Sequence, residues 1–245
     1  MTAAPSNRRF GILSLLALTM FAALLSLGTW QVKRLAWKEN LIQTIESRIH
    51  QPPRPLEAWF KTEPGTDYWP VKVEGNFLHS GERHFFSTYD GQSGYDVFTP
   101  LEISPGVFVF VNRGFVPFDR KDVATRTEGQ IAGKVEVTGL ARSILTKRPS
   151  WLVPDNEPDK NTFYWKDFAA MRDSAGLPAG SKTLELVIDA DKTPNPGGLP
   201  IGGVTIVDLP NSHLSYAVTW YGLAATLAAV WSVLALRHFR SRRLT

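Results

Sequence analysis

From Tyr216 to Leu236 the chain runs 21 residues without a charge. At a rise of about 1.5 Å per residue, a helix of that length spans roughly 30 Å, the thickness of a bilayer core. Arg237, Arg240, Arg242 and Arg243 follow directly. Upstream, Pro210 and then Asn211 or Ser212 as N-cap open the helix, which puts His213 in its first turn. The stretch reads as a membrane anchor with one imidazole at its mouth.

A second uncharged run, also of 21 residues, extends from Phe10 to Trp30. A cleaved signal peptide is one reading of it. The run is long for that, and no clear small-x-small site follows. Ser6-Asn-Arg-Arg-Phe10 hints at a twin-arginine signal, but the spacing is off. An uncleaved anchor fits the length better. The nine residues before it are few for a mitochondrial presequence, which favours a bacterial protein. Lys33, Arg34 and Lys38 after this run compete with Arg8 and Arg9 before it, but the arginines after the second run decide the orientation. The expected layout is a cytoplasmic N-terminus (1–9), a first span (10–30), a periplasmic domain (31–209), a second span with its periplasmic cap (210–236) and a cytoplasmic C-terminus (237–245). The location is the bacterial inner membrane.

The flanks also explain the charge. The chain holds 27 Lys and Arg against 23 Asp and Glu. Without Arg8, Arg9 and the four terminal arginines, the part between the runs has 21 basic and 23 acidic residues. The folded part therefore has no basic excess of the kind that nucleic acid requires, and the terminal arginines face the lipid headgroups. No cysteine is present, which excludes disulfides, thiolate copper sites, Fe–S ligation and covalent haem attachment.

Between the runs, Gln31 to His50 has helical periodicity and continues the first helix until Gln51-Pro-Pro-Arg-Pro55 breaks it. Alternating segments then predict strands at Tyr68–Phe77, Arg83–Tyr89, Tyr95–Ile103, Val107–Asn112, Lys134–Leu140 and Thr183–Ile188. Asn161 to Ala175 has the pattern of an amphipathic helix, with Phe163, Trp165, Phe168 and Met171 as its apolar positions. Thr146 to Lys160 and Thr193 to Gly203 look irregular. Short, closely spaced strands with one or two helices predict an α+β, mainly antiparallel, barrel-like domain between two terminal transmembrane helices.

Few residues carry candidate chemistry. His213, Ala217, Trp220, Ala224 and Trp231 share one helix face, with Tyr216 adjacent. Small residues beside flat aromatics suit a porphyrin edge, and imidazole is an axial ligand of haem iron. Equally, polar and aromatic residues at a helix end are ordinary interface anchors. His79 and His84 flank Ser-Gly-Glu-Arg in an expected hairpin. They form either a two-imidazole metal site without an evident third ligand or a polar turn. Arg113 ends an apolar strand. It suits a bidentate clamp on a carboxylate such as a haem propionate, or a pair with a carboxylate of the domain. The glycines at 197, 198, 202 and 203 lie in no phosphate-binding fingerprint and read as a flexible loop. No nucleophile elbow, HExxH or kinase pattern occurs, so an enzyme is not expected.

Three stretches together resemble the Surfeit locus protein 1 family. They are Gly28-Thr-Trp30-Gln31-Val-Lys-Arg34-Leu-Ala-Trp37-Lys38; Gly94-Tyr95 with Thr99-Pro100-Leu101 and Val111-Asn112-Arg113-Gly114 with Val116-Pro117; and His213-Leu-Ser-Tyr216-Ala217-Val-Thr219-Trp220 with Ala224. They run in family order over nearly the whole chain. Phe115 stands where many members have Trp. The resemblance implies a factor in the assembly of haem–copper terminal oxidases, the cytochrome c oxidase class, that binds haem a and helps insert it into subunit I. It also implies His213 as the iron ligand. On that reading Tyr216 and Trp220 pack on the ring, and Lys33, Arg34 or Arg113 pairs with propionates. The partners are oxidase subunit I, haem A synthase and the bilayer. The alternative is a scaffold without a cofactor that holds oxidase assembly intermediates.

Overall fold

The computed structural model describes residues 7–59, 67–144, 147–204 and 210–242. Ser6, Thr146 and Arg243, each named above, lie outside the described residues. The chain divides into two compact units: residues 1–44 with 208–245, and residues 45–207.

The first unit holds α4 (His213–Arg242) and all but the last five residues of α1 (Asn7–Ile49). Both are long and apolar enough to cross a membrane. α1 is one unbroken helix, so the periodicity after Trp30 does continue the first apolar run. The apolar side chains stay largely outside the pair: Leu15, Leu16 and Leu18 on α1 and Leu214, Val218 and Leu223 on α4 are exposed. The hydroxyls within the apolar runs bond back to their own helix, Ser14 to Phe10 O, Thr19 to Leu15 O, Thr226 to Gly222 O and Ser232 to Ala228 O. That satisfies them where lipid could not.

The helices run antiparallel. Phe10 stacks on Trp231 and on His238, with ring centroids 5.4 and 4.0 Å apart. Thr29 Oγ1 lies 3.1 Å from Tyr221 Oη. A Cβ on Gly28 would come within 2.8 Å of the Tyr221 ring, so the absent side chain sets how closely the helices approach there.

The second unit is built on seven strands: β1 (Arg54–Pro55), β2 (Trp69–Phe77), β3 (Arg83–Tyr89), β4 (Gln92–Ser104), β5 (Val107–Pro117), β6 (Lys134–Ser143) and β7 (Lys182–Ala190). Their order is β1-β2-β6-β7-β5-β4-β3, and β2 also pairs with β4 through Asn76–Glu102 and Phe77–Leu101. That last pairing closes β2, β6, β7, β5 and β4 into a ring. β1–β2 and β5–β7 are parallel; the other pairs are antiparallel. The domain is thus the barrel-like, mainly antiparallel α+β unit that the strand spacing implied.

Every strand of the ring sends apolar side chains to one core: Val71, Val73, Leu101, Val109, Val111, Ala141, Leu186 and Ile188. Leu56 of the short helix α2 (Leu56–Trp59) joins them. Alternate residues of the same strands face the other way. Phe98 of β4 and Phe110 of β5 pack there with Phe163 and with Phe168, Met171 and Ala175 at α3 (Phe168–Ser174). β5 is buried on both faces, which explains its continuous apolar run. A fully buried Val, Leu or Phe contributes roughly 1.5–3 kcal/mol, so these two clusters carry most of the domain's stability.

Two expectations fail for local reasons. The helix forms only over Phe168–Ser174. Phe163 instead adds to the edge of β3, donating from its N–H to His84 O and accepting from Phe86 N, while the Asp167 side chain caps the helix by accepting from Ala170 N. The glycine-rich segment is not a loose loop. Ile201 pairs both ways with Phe115 on β5, and Asn195 Nδ2 donates to Pro200 O.

Candidate functional site

In the helical unit, α4 starts at His213. Asn211 Oδ1 accepts from the His213 backbone N–H at 3.4 Å, and Ser212 O accepts from Tyr216 N. The imidazole Nδ1 lies 2.7 Å from Oε1 of Gln31 on α1. Nε2 has no hydrogen-bond partner among the described residues, and the ring is half-buried. Trp220, two turns on, is also half-buried, whereas Tyr216 is 52% exposed. Ala217 and Ala224 on the same face are buried. The face is therefore closed at Ala217 and Ala224 and part-open at His213 and Trp220. Lys33 and Arg34 follow Gln31 on α1 and are exposed; the Arg34 guanidinium lies 3.9 Å from the centre of the Trp37 ring.

Arg113 belongs to the barrel unit and is 2% exposed. Its Nη2 donates to Gly129 O and to Asn195 Oδ1, Nη1 lies 3.5 Å from His79 Nδ1, and the guanidinium lies over the Phe77 ring. Burial lowers its pKa to about 10. A propionate clamp needs guanidinium donors that a ligand can reach. Of the Arg113 donors, Nη2 is spent on a carbonyl and an amide inside the domain, and Nε is buried without a hydrogen-bond partner among the described residues.

The two histidines of the expected hairpin do not sit in a hairpin, because a short 3₁₀ turn at His79–Gly81 separates β2 from β3 and those strands do not pair. His79 Nε2 is 2.9 Å from Ile131 O, and burial lowers its pKa. His84 is buried, with Nε2 2.9 Å from Glu82 Oε1. Glu82 also forms a buried bidentate pair with Arg126. Burial pushes the Glu82 pKa up, but the hydrogen bonds from His84 and Arg126 outweigh it and hold the carboxyl at about 2. No group of three metal-ligating side chains occurs among the described residues. Neither Glu82 nor Arg126 stood out in the sequence, since their pairing joins β3's approach to a turn 44 residues away. Gln31 lay within a quoted motif, but nothing in a single sequence pairs it with a residue 182 positions on.

The SURF1 family model matches residues 18–225, from within the first helix into the last. The chain belongs to the SURF1 family. Surfeit locus protein 1 of Homo sapiens is 39% identical, over 90% of this chain and 75% of the human protein. Surfeit locus protein 1 of Xenopus tropicalis is 38% identical with the same coverage, and a SURF1-like protein of Drosophila melanogaster is 32% identical over 94% and 79%. The family match takes in Gln31, Arg113, His213, Tyr216 and Trp220 together.

Proposed function

We propose that the chain is an assembly factor for a haem–copper terminal oxidase of the cytochrome c oxidase class, and that it binds haem a and helps insert it into subunit I. Membership of the SURF1 family supports the assembly role. The observation that carries the haem role is the His213 imidazole, held through one nitrogen at a helix mouth with the other nitrogen unbonded and part of the ring accessible.

The residues present fit such a cargo. Nε2 of His213 supplies one axial position, the part-exposed rings of Tyr216 and Trp220 supply flat apolar surface, and Lys33 and Arg34 supply cations for propionates. When bound, the haem brings the iron that the client oxidase requires. One protein ligand at an open edge holds that cargo reversibly, as handover demands. Two spans in the bacterial inner membrane, with the barrel domain in the periplasm and both termini in the cytoplasm, place His213 at the outer surface. Oxidase subunit I is the receiving partner and haem A synthase the supplying one. No catalytic role is assigned.

The test is to purify the full chain in detergent after co-expression with the enzymes that make haem A. The expected result is a Soret band with about one haem per chain, lost or shifted in His213→Ala. An unchanged spectrum and affinity in that variant would remove His213 from the role. A colourless wild-type preparation that still co-purifies with subunit I would replace the carrier with the cofactor-free scaffold.

A further inference from the structure

The contact between Gln31 and His213 has a chemical direction. A glutamine Oε1 only accepts, so the 2.7 Å approach is a hydrogen bond donated by Nδ1–H of the imidazole. That proton assignment puts the ring's lone pair on Nε2, the nitrogen without a partner among the described residues. Gln31 is 9% exposed, and a buried amide oxygen left without a donor is costly. The rest of the helical pair keeps the two side chains opposite each other through Thr29 with Tyr221, Gly28 under the Tyr221 ring, and Phe10 stacked on Trp231.

We infer that Gln31 is the positioning residue for His213: it selects the Nδ1–H tautomer, fixes the plane of the ring and raises the basicity of Nε2 toward haem iron. This rests on the reading of His213 as the haem ligand. Where a ligating histidine depends on such a partner, losing the partner typically costs 10–100-fold in affinity.

The experiment uses the full chain loaded with haem a by co-expression, in wild type, Gln31→Ala, Gln31→Glu and His213→Ala. Readouts are haem dissociation rate, the ferric EPR spectrum and the reduction potential. Gln31→Ala is expected to lose haem 10–100-fold faster and to give a heterogeneous ferric signal, because the ring can then rotate and change tautomer. Gln31→Glu keeps an acceptor. It is expected to retain haem as wild type does while lowering the potential, since a carboxylate draws more strongly on Nδ1–H. A residue that only packs the helices together would not be rescued by Glu and would leave the potential unmoved.

Wild-type retention and EPR in Gln31→Ala, with haem lost in His213→Ala, would overturn the positioning role and leave the ligand intact. Wild-type behaviour in His213→Ala would instead overturn the underlying reading. Should Gln31→Ala fail to fold, the Gln31→Glu potential decides: a lowered value supports the role and an unchanged value overturns it.

Discussion

Glu82 is the residue on which the buried polar side of the barrel domain turns. Its carboxylate is surrounded by Arg126 and His84, all three buried. Replacing it with glutamine leaves the Arg126 guanidinium buried without a counter-charge, and removing one partner of such a pair costs about 3–5 kcal/mol. Glu82→Gln is therefore expected to lower the urea midpoint of the full chain in detergent markedly at pH 7. The wild-type contribution has a defined pH window. The folded pKa of about 2 lies below the ordinary value of 4.5, so the stabilisation is complete above about 4.5 and is lost as pH falls toward 2. The gap between wild type and variant should narrow over that range; a gap constant with pH would show that packing, not charge, sets it. This role was illegible in the sequence, where Glu82 was one polar residue between two histidines. The position of His213 at a helix start was legible, because the helix it opens is defined by the uncharged run that follows.

At the scale of elements, Gly114 joins β5 to the glycine-rich segment. Its φ is +115°, and a Cβ there would come within 1.8 Å of Ile201 O. The backbone pairing of Phe115 with Ile201 leaves no room to shift. Gly114→Ala is expected to cost at least about 2 kcal/mol and to raise hydrogen exchange at the Phe115 and Ile201 amides. Wild-type exchange at both amides would show that the segment is held elsewhere. Strand positions were legible because alternation reports directly on a sheet with two faces. β5 was expected to end at Asn112 and in fact runs to Pro117, its buried Arg113 having been taken for an end. The helix expected at 161–175 is shorter in the structure because Phe163 has the right spacing for a helix yet is drawn to the edge of β3, a tertiary preference that periodicity does not see.

For the whole molecule, the two long terminal helices and the strand domain between them were legible, because lipid-length apolar runs and alternating strands leave different patterns. A barrel-like domain was legible, but the pairing that closes it was not, since the β2–β4 closure and the parallel β5–β7 pair join segments far apart in the chain. The proposed orientation is open to a direct check because the chain has no cysteine. A single cysteine at Trp151, which is 85% exposed in the barrel unit, should react with a membrane-impermeant maleimide on intact spheroplasts. One at Arg240, past the second apolar run, should react only after permeabilisation. The reverse pattern would invert the topology and move His213 to the cytoplasmic side.

The place of β7 governs how this protein can be made. It is the last strand among the described residues, yet it lies between β6 and β5, touching both. A nascent chain stopped before Lys182 holds two strand sets joined only by the short β2–β4 contact, with the inner faces of Val109, Val111 and Ala141 unfilled by Leu186 and Ile188. The barrel therefore cannot close strand by strand as the chain emerges; it must wait, partly open, for its final segment. Since that segment is followed closely by α4, completion of the barrel and delivery of the second membrane helix fall at nearly the same moment in synthesis, and a premature stop anywhere before the end of β7 forfeits both.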